Sequence, residues 1–398
     1  MKPLDTVLVH TDKGQETYLN LTSDYLYWEN NGRLYSYHTD EVLGGKFQDN
    51  SLSIVVYRKS RFRFFKFSCE NGTHFENSLS STLNPCYKFF LIVYNPISGT
   101  GTSKAELFNT FLPVLSLTPH RYEVYQTTSQ GYPIPLIERI GSEFTDVIIL
   151  GGDGTLHLLL SALYKRNRQS LKEIGIAVLA SGSRNSLAVE LHGKSFNEGI
   201  YNILKNCTVL GDLMLVKTDE DSLLATTAVT CGLGADLPYE AEKNRNLGLF
   251  RFALAGVKAL IMPWKHYFCS FKCEKSDGEE FERIGEFLWI SIGNNKAQNL
   301  RNDEIPFPYA YINSGDMDAV LIDPIYKLMT TRLFFQILNG GQHVNNPAIT
   351  YIKLKKAEIK FEQCSVFNID GEMHFSKKVE VEILEKALKY YGKLESFN

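Results

Sequence analysis

The stretch richest in chemistry runs from Val147 to Leu163 and reads VIILGGDGTLHLLLSAL. Gly151, Gly152, Asp153, Gly154 and Thr155 stand between a short β-branched apolar run and an apolar segment of helical length. The pattern predicts strand, glycine-rich turn, helix. Such a turn aims backbone N–H groups and the positive end of a helix at the carboxyl end of a strand, and that combination attracts phosphate. A carboxylate repels phosphate and has no binding role there, but it can take the proton from a hydroxyl group. Asp153 beside a phosphate cradle therefore points to phosphoryl transfer to an alcohol, with Asp153 as general base.

The elements that must hold this turn are legible around it. Residues 89–94 read as a buried strand that runs into Asn95, Pro96, Ile97, Ser98, Gly99, Thr100 and Gly101. A helical pattern over 105–112 follows, and Pro113 is expected to end it. The loop is not a Walker A loop, since Gly-Lys-Ser/Thr is missing at the required spacing, and its glycines do not fit the dinucleotide fingerprint. Residues 122–125 read as a strand ending at Thr127 and Thr128, and 174–179 as another that ends in the small-residue loop Ala180 to Ala188. Loops at the carboxyl ends of such strands can converge on one ligand.

The totals bound what surrounds this layer. A chain of 398 residues calls for two or three domains. With 44% hydrophobic and 22% charged residues it reads as soluble and globular, and a net charge of −3 gives no global attraction to nucleic acid. Seven cysteines without repeated spacing suit a reduced, cytoplasmic protein, and Cys269 with Cys273 lacks the second pair a zinc site needs. The first residues lack a signal-peptide apolar core. No apolar run reaches the roughly 20 residues of a membrane span. Membrane contact is therefore expected to be peripheral.

Residues 1–85 read as β-rich, with strands over 17–21, 25–28, 34–37, 53–57 and 62–67 and a helix over 74–83, the outline of a small PH-like barrel. The run Arg58 to Lys66 is basic and aromatic, and at strand period Arg61 and Arg63 share a face that could meet anionic headgroups. The competing reading is a solvated outer face, which charge patterns alone favour. From about Cys207 strands return, over 226–231, 287–292, 319–322, 349–355, 358–361 and 379–384, with one helix over 239–262. This half reads as a β-sandwich. The turn Asp370-Gly371-Glu372 taken alone reads as a surface hairpin.

Taken in order, these stretches resemble one family, the diacylglycerol-kinase-like lipid kinases, and within it the sphingosine and ceramide kinase branch. The resemblance covers roughly 89–392. It rests on Asn95-Pro96 with Gly99 and Gly101, on Gly151 to Thr155, and on Gly182-Ser183 with Asn185, Leu187 and Ala188. It continues through Gly234-Ala235-Asp236, Glu242-Lys243, Arg245, Leu247-Gly248 and Arg251-Phe252, then Gly315 to Asp318, Gly341 with His343, and Asp370-Gly371-Glu372. The resemblance implies an α/β nucleotide-binding kinase domain over 86–192 and a β-sandwich lipid-binding domain over 193–398, behind a PH-like region over 1–85. It implies ATP and Mg²⁺ as co-substrate and cofactor and a lipid alcohol as acceptor, a sphingoid base first. Asn95, Pro96, Ile97, Gly99, Gly101, Thr127, Gly151, Gly152, Gly154, Thr155, Gly182, Ser183 and Asn185 would line the nucleotide. Arg245 and Arg251 would neutralise phosphate charge, and Asp370, Gly371 and Glu372 would approach the phosphates with Mg²⁺ or water between. Asp236 and Glu242 would lie near the lipid head, and the apolar segment 250–262 would wall the lipid pocket.

The chain departs from the family pattern at five positions. The family often has Glu at Leu158 and Asn at Ser161, Pro at Ala180 and Gly at Arg184, and in sphingosine kinases an acidic residue falls at Pro238. Pro238 raises ceramide or another neutral lipid alcohol as the alternative substrate. Leu158 and Arg184 raise a degenerate member that binds without transferring phosphate. The NAD kinase scaffold, which shares the Gly-Gly-Asp-Gly loop, is a third reading.

Overall fold

The computed structural model describes residues 3–96, 101–127, 132, 134–166, 170–181, 185–243, 266–296, 305–338 and 340–393. Ile97, Gly99, Gly182, Ser183, Arg184, Arg245, Arg251 and the segment 250–262 lie outside these residues.

Residues 5–68 form one antiparallel sheet of seven strands, β1 (Asp5–His10), β2 (Glu16–Leu21), β3 (Tyr25–Asn30), β4 (Arg33–His38), β5 (Val42–Gln48), β6 (Ser51–Arg58) and β7 (Arg61–Ser68), in the order β4-β3-β2-β1-β7-β6-β5. Helix α1 (Thr73–Leu83) closes it by placing Phe75 and Leu79 in a core with Trp28, Tyr37 and Phe67. Strand β6 is buried on both faces. Leu52, Ile54 and Val56 enter that core, while Val55 and Tyr57 belong to the core of the next layer. The two parts also touch through backbone, since a Cβ on Gly44 would stand 2.3 Å from the Leu117 carbonyl oxygen.

The second sheet has thirteen strands. Its parallel part comprises β8 (Phe89–Tyr94), β9 (Arg121–Gln126), β10 (Asp146–Gly151) and β11 (Gly175–Ala180), with β10 in the centre. Every residue of β10 is buried. Val147 and Ile149 pack on one side with Ile137 of helix α4 (Ile134–Arg139) and with Leu156, Leu159 and Leu160 of helix α5 (Asp153–Arg166). Ile148 and Leu150 pack on the other side with Leu107, Phe111, Ile200 and Ile203. This period-two sorting into two apolar cores is why a parallel strand reads as an unbroken apolar run.

The expected helix end at Pro113 is not observed. Helix α2 (Ser103–Glu106) passes through a π turn (Leu107–Phe111) into α3 (Leu112–Leu115). Leu112 donates its N–H to the Leu107 carbonyl, five residues back. The wider turn just before Pro113 accommodates a residue that has no N–H to give.

After α6 (Ser186–His192) and α7 (Phe196–Leu204) come β12 (Thr208–Lys217), β13 (Ser222–Ala225), β14 (Ala228–Gly232) and α8 (Leu233–Glu242). Strands β15 (Tyr267–Lys275), β16 (Glu280–Phe287), β17 (Trp289–Gly293) and β18 (Met317–Ile322) lead to a long hairpin, β19 (Ile349–Ile369) and β20 (Glu372–Tyr391). The two strands expected over 349–355 and 358–361 are one 21-residue strand, with a register shift between Lys360 and Ser365. This half, expected as a β-sandwich, is hydrogen-bonded to the parallel layer through β20, which pairs with β12 and β19 and, at its end, in parallel with β11.

Candidate active site

The carboxyl ends of β8, β10 and β11 lie side by side, and short bonds stitch their loops together. Asn95 donates its N–H to the Leu150 carbonyl at 3.0 Å, and Thr127 donates to the Tyr94 carbonyl at 3.0 Å. The Ser103 hydroxyl holds the Asn95 carbonyl at 2.7 Å. Gly101 has φ 73°, a left-handed conformation that glycine adopts without strain. Gly151 must lack a side chain, since a Cβ there would lie 2.9 Å from Thr155 Oγ1. The Tyr132 hydroxyl donates to the Thr155 carbonyl at 3.1 Å and pins the first turn of α5.

Asp153 opens α5 and is half-buried. Its Oδ2 accepts the N–H of Ser186, the first residue of α6, at 3.3 Å. Asn185, which precedes Ser186, is fully buried at φ 61°, a left-handed position that asparagine tolerates better than most side chains. The loops after β10 and β11 are thus joined at the carboxylate itself.

The hairpin tip β19–β20 reaches the same place. Asp370 and Gly371 are its two central residues, with φ 49° and 97°, and Ile369 pairs with Glu372 across the turn. Two positive φ values in a two-residue loop suit Asp-Gly and match the strand twist. Glu372 Oε1 lies 2.8 Å from the point where a Gly154 Cβ would stand, and the Asp370 carbonyl oxygen 3.8 Å from it. A side chain at 154 would therefore displace the Glu372 carboxylate.

Asp370 does not offer its carboxylate to a ligand, contrary to the expectation that it approaches the phosphates. It is 5% exposed. Oδ2 accepts the Thr226 N–H at 2.6 Å and the Thr226 hydroxyl at 3.0 Å, and Oδ1 accepts the N–H groups of Thr227 at 2.8 Å and Ala228 at 3.0 Å. Its own N–H returns to the Ala228 carbonyl at 3.0 Å. The side chain is a clamp that fastens the tip to the β13–β14 junction, so the tip is not the surface hairpin that its sequence alone suggests. His157, one turn after Asp153, is buried with Nδ1 4.0 Å from Asp370 Oδ2, and its ring stands edge-on to His374 at 6.0 Å. Burial pushes the pKa of both imidazoles below the ordinary value and so favours their neutral forms.

The residues assigned to the lipid side lie apart from this cluster. Asp236, on α8, accepts a hydrogen bond from the Tyr267 hydroxyl. No described contact joins it to Asp153. Gly234, in the same motif, is a packing residue, since a Cβ there would collide with Trp289 Nε1 at 2.1 Å. Glu242 is the last residue of α8. Tyr239 of α8 meets Phe375, three residues past Glu372, edge-on at 6.0 Å, so α8 flanks the hairpin. Leu158 is 45% exposed on α5. The partners that sequence reading missed are Thr226 to Ala228, Tyr132, Tyr267 and His157. The first three act mainly through backbone groups, which carry no residue signature.

Residues 89–216 match the family described as the diacylglycerol kinase catalytic domain. That match spans about a third of the chain and takes in β8 to β12 with the Asp153 loop. The chain is 30% identical over 187 residues to sphingosine kinase 1 of Caenorhabditis elegans, across 43% of this chain and 40% of that protein's length. The chain thus spans about two-fifths of that relative. It is 20% identical over 416 residues to mouse ceramide kinase, across 86% of this chain and 77% of the other. A crystal structure of a diacylglycerol kinase from Bacillus anthracis shares the fold, with a TM-score of 0.59 and 18% identity over 77% of this chain and 97% of that one. No described helix is long and apolar enough to cross a membrane.

Proposed function

We propose that the protein is an ATP-dependent lipid kinase that phosphorylates a sphingoid base, with Asp153 as general base. The observation that carries this reading is the meeting of Asp153, Gly154 and Glu372 at the carboxyl end of β10, where Asn95 after β8 and Ser186 after β11 are also bonded. In the reaction the lipid hydroxyl gives its proton to Asp153 as its oxygen attacks the γ-phosphorus. The bond from that phosphorus to the β–γ bridging oxygen breaks and ADP leaves. Little covalent chemistry is asked of the protein, which contributes positioning and charge neutralisation.

The donor set suits Mg²⁺, which commonly takes one or two carboxylates and completes its shell with substrate phosphate oxygens and water. Asp370 is saturated by its clamp, and among the described residues no group of three or more His, Cys, Asp or Glu is placed to enclose a metal by itself. Glu372 would hold the ion together with the ATP phosphates, and the ion would neutralise charge developing on the transferred group. Arg245 and Arg251 would add positive charge, and Ser183 and Asn185 would complete the nucleotide loop.

Relatives named for sphingosine and for ceramide both support a lipid acceptor, with ceramide or diacylglycerol as the alternative substrate. We assign 1–85 to a PH-like region, 86–192 to the nucleotide domain and 193–398 to a β-sandwich that holds the lipid, in a cytoplasmic protein that visits membranes peripherally. A degenerate member that binds without transfer is the second reading, favoured by the exposed apolar Leu158 on the site helix.

The test is transfer of labelled γ-phosphate from Mg·ATP to detergent-dispersed sphingosine, phytosphingosine, ceramide, diacylglycerol and monoacylglycerol. A labelled sphingoid product is expected. Label on ceramide or diacylglycerol instead reassigns the acceptor. No label on any lipid, at a protein concentration that binds nucleotide, refutes the kinase reading in favour of the degenerate one.

A further inference from the structure

The N-terminal sheet is electrostatically two-sided. Residues 5–38, which hold β1 to β4, carry five carboxylates and two cations, Lys13 and Arg33. Residues 42–68, which hold β5 to β7, carry six cations and one carboxylate, Asp49 in the β5–β6 turn. Arg58 is consumed at home, by an ion pair with Glu41 and by lying over the Tyr37 ring. Lys46, Lys59, Arg61, Arg63 and Lys66 are exposed.

Strand register sorts these cations onto faces. Lys46 of β5 pairs with Ser53 of β6, and Ser53 pairs with Lys66 of β7. Directly opposite residues share a face, so the two lysines flank one serine in a row across three strands. Phe64, two residues from Lys66 and opposite Val55, is on this face and 52% exposed. Arg61 and Arg63 alternate to the other face, the one on which Phe65 and Phe67 enter the sheet's own core.

The Lys46–Lys66 face is continuous with an interface already built. One row further along it Val55, and two rows further Tyr57 with Phe62 opposite, pack in the core that covers β8 and β10. Polar contacts lock that joint. The Tyr57 hydroxyl bonds Glu198, its ring stacks on Tyr201 at 4.8 Å, and Lys205 Nζ donates to the carbonyls of Thr39 at 3.0 Å and Val42 at 2.9 Å. Whatever this face binds is therefore held at a fixed attitude to the catalytic domain.

We propose that the Lys46–Ser53–Lys66 row with Phe64 docks the protein on an anionic lipid bilayer. The purpose of docking rests on the lipid-kinase reading, but the binding needs neither nucleotide nor acceptor. Lysines beside an anionic leaflet each strengthen binding severalfold, and an exposed aromatic ring buries itself at the headgroup level. The carboxylate-rich β1–β4 half is repelled by the same leaflet, so the charge asymmetry orients the molecule as well as attracting it.

The experiment is sedimentation of the full chain with vesicles of phosphatidylcholine alone and of phosphatidylcholine mixed with phosphatidylserine, without ATP. Binding to the mixed vesicles only, weakened by added salt, is expected. Lys46→Glu with Lys66→Glu should lower the partition coefficient by about tenfold or more, with an unchanged melting temperature and unchanged transfer to detergent-dispersed lipid. Arg61→Glu with Arg63→Glu should lower it less. Equal binding to neutral vesicles, wild-type binding by the lysine variant, or a larger loss in the arginine variant would each overturn the proposal. Absent phosphate transfer by the wild type would sink the kinase reading and leave the vesicle result standing.

Discussion

Two Asp-Gly pairs meet in this molecule and do opposite things. Asp153-Gly154 opens a helix at the carboxyl end of a buried parallel strand, and Asp370-Gly371 turns a hairpin between two long strands. The first carboxylate is half-buried, accepts a 3.3 Å bond from Ser186 and stands where the loops of three strands arrive. The second is buried under three backbone N–H groups and a hydroxyl. Identical dipeptides thus divide into a half-buried carboxylate, proposed above as the general base, and a fastener, and surroundings decide which is which. The fastener still serves the site. By clamping the tip to the β13–β14 junction, Asp370 fixes Glu372 against Gly154.

The sharpest way to break this division is to remove the fastener. Asp370→Ala leaves the N–H groups of Thr226, Thr227 and Ala228 without their acceptor in a buried place. It should cost about 3 kcal/mol or more in chemical denaturation, since each buried donor left unsatisfied costs about 1–3 kcal/mol. A loss under about 1 kcal/mol would mean that the clamp is ornamental.

A third carboxylate sharpens the comparison through pH. Glu190 on α6 accepts the Ile312 N–H at 3.0 Å, and burial raises its pKa from 4.5 to about 7. A carboxyl with a raised folded pKa keeps its proton while the unfolded chain has lost it. Stability should therefore fall as pH rises from 4.5 to about 7 and level off above that. The loss is about 3 kcal/mol, and Glu190→Gln should abolish this part of the slope. A wild-type curve equally steep in the variant would assign the slope to other groups.

The smallest expected effect is that of Gly154→Ala. The new methyl group meets the far end of the Glu372 side chain, which can swing aside, so the fold should survive with little change in melting temperature. Phosphate transfer should drop by about tenfold, because displacing a positioned group by an ångström costs up to a hundredfold. Unchanged turnover would remove Glu372 from the site.

Much of the frame was legible in the chain because it obeys simple periods. β10 reads as a doubly buried strand and is one, and Trp28, Tyr35 and Tyr37 announce the N-terminal strands that they fill. The place of Asp153-Gly154 at the start of α5 was visible because a glycine turn between an apolar strand and an apolar helix marks it. The clamp on Asp370 was hidden because three of its four donors are backbone groups about 140 residues away in sequence. The continuation through Pro113 was hidden because a π turn has no sequence period of its own. The split of the basic run into two faces needed the β5–β6–β7 register, which alternation within β7 alone cannot supply.

On the proposed reading the Asp153 carboxylate performs chemistry and does not hold the fold together. Its most direct test is Asp153→Asn, followed in one preparation by ATP binding, melting temperature and transfer of labelled phosphate to lipid. ATP affinity and melting temperature should stay near those of the wild type, with transfer slower by about a hundredfold or more. Transfer at the wild-type rate, or a collapse of melting temperature like that expected for Asp370→Ala, would contradict it.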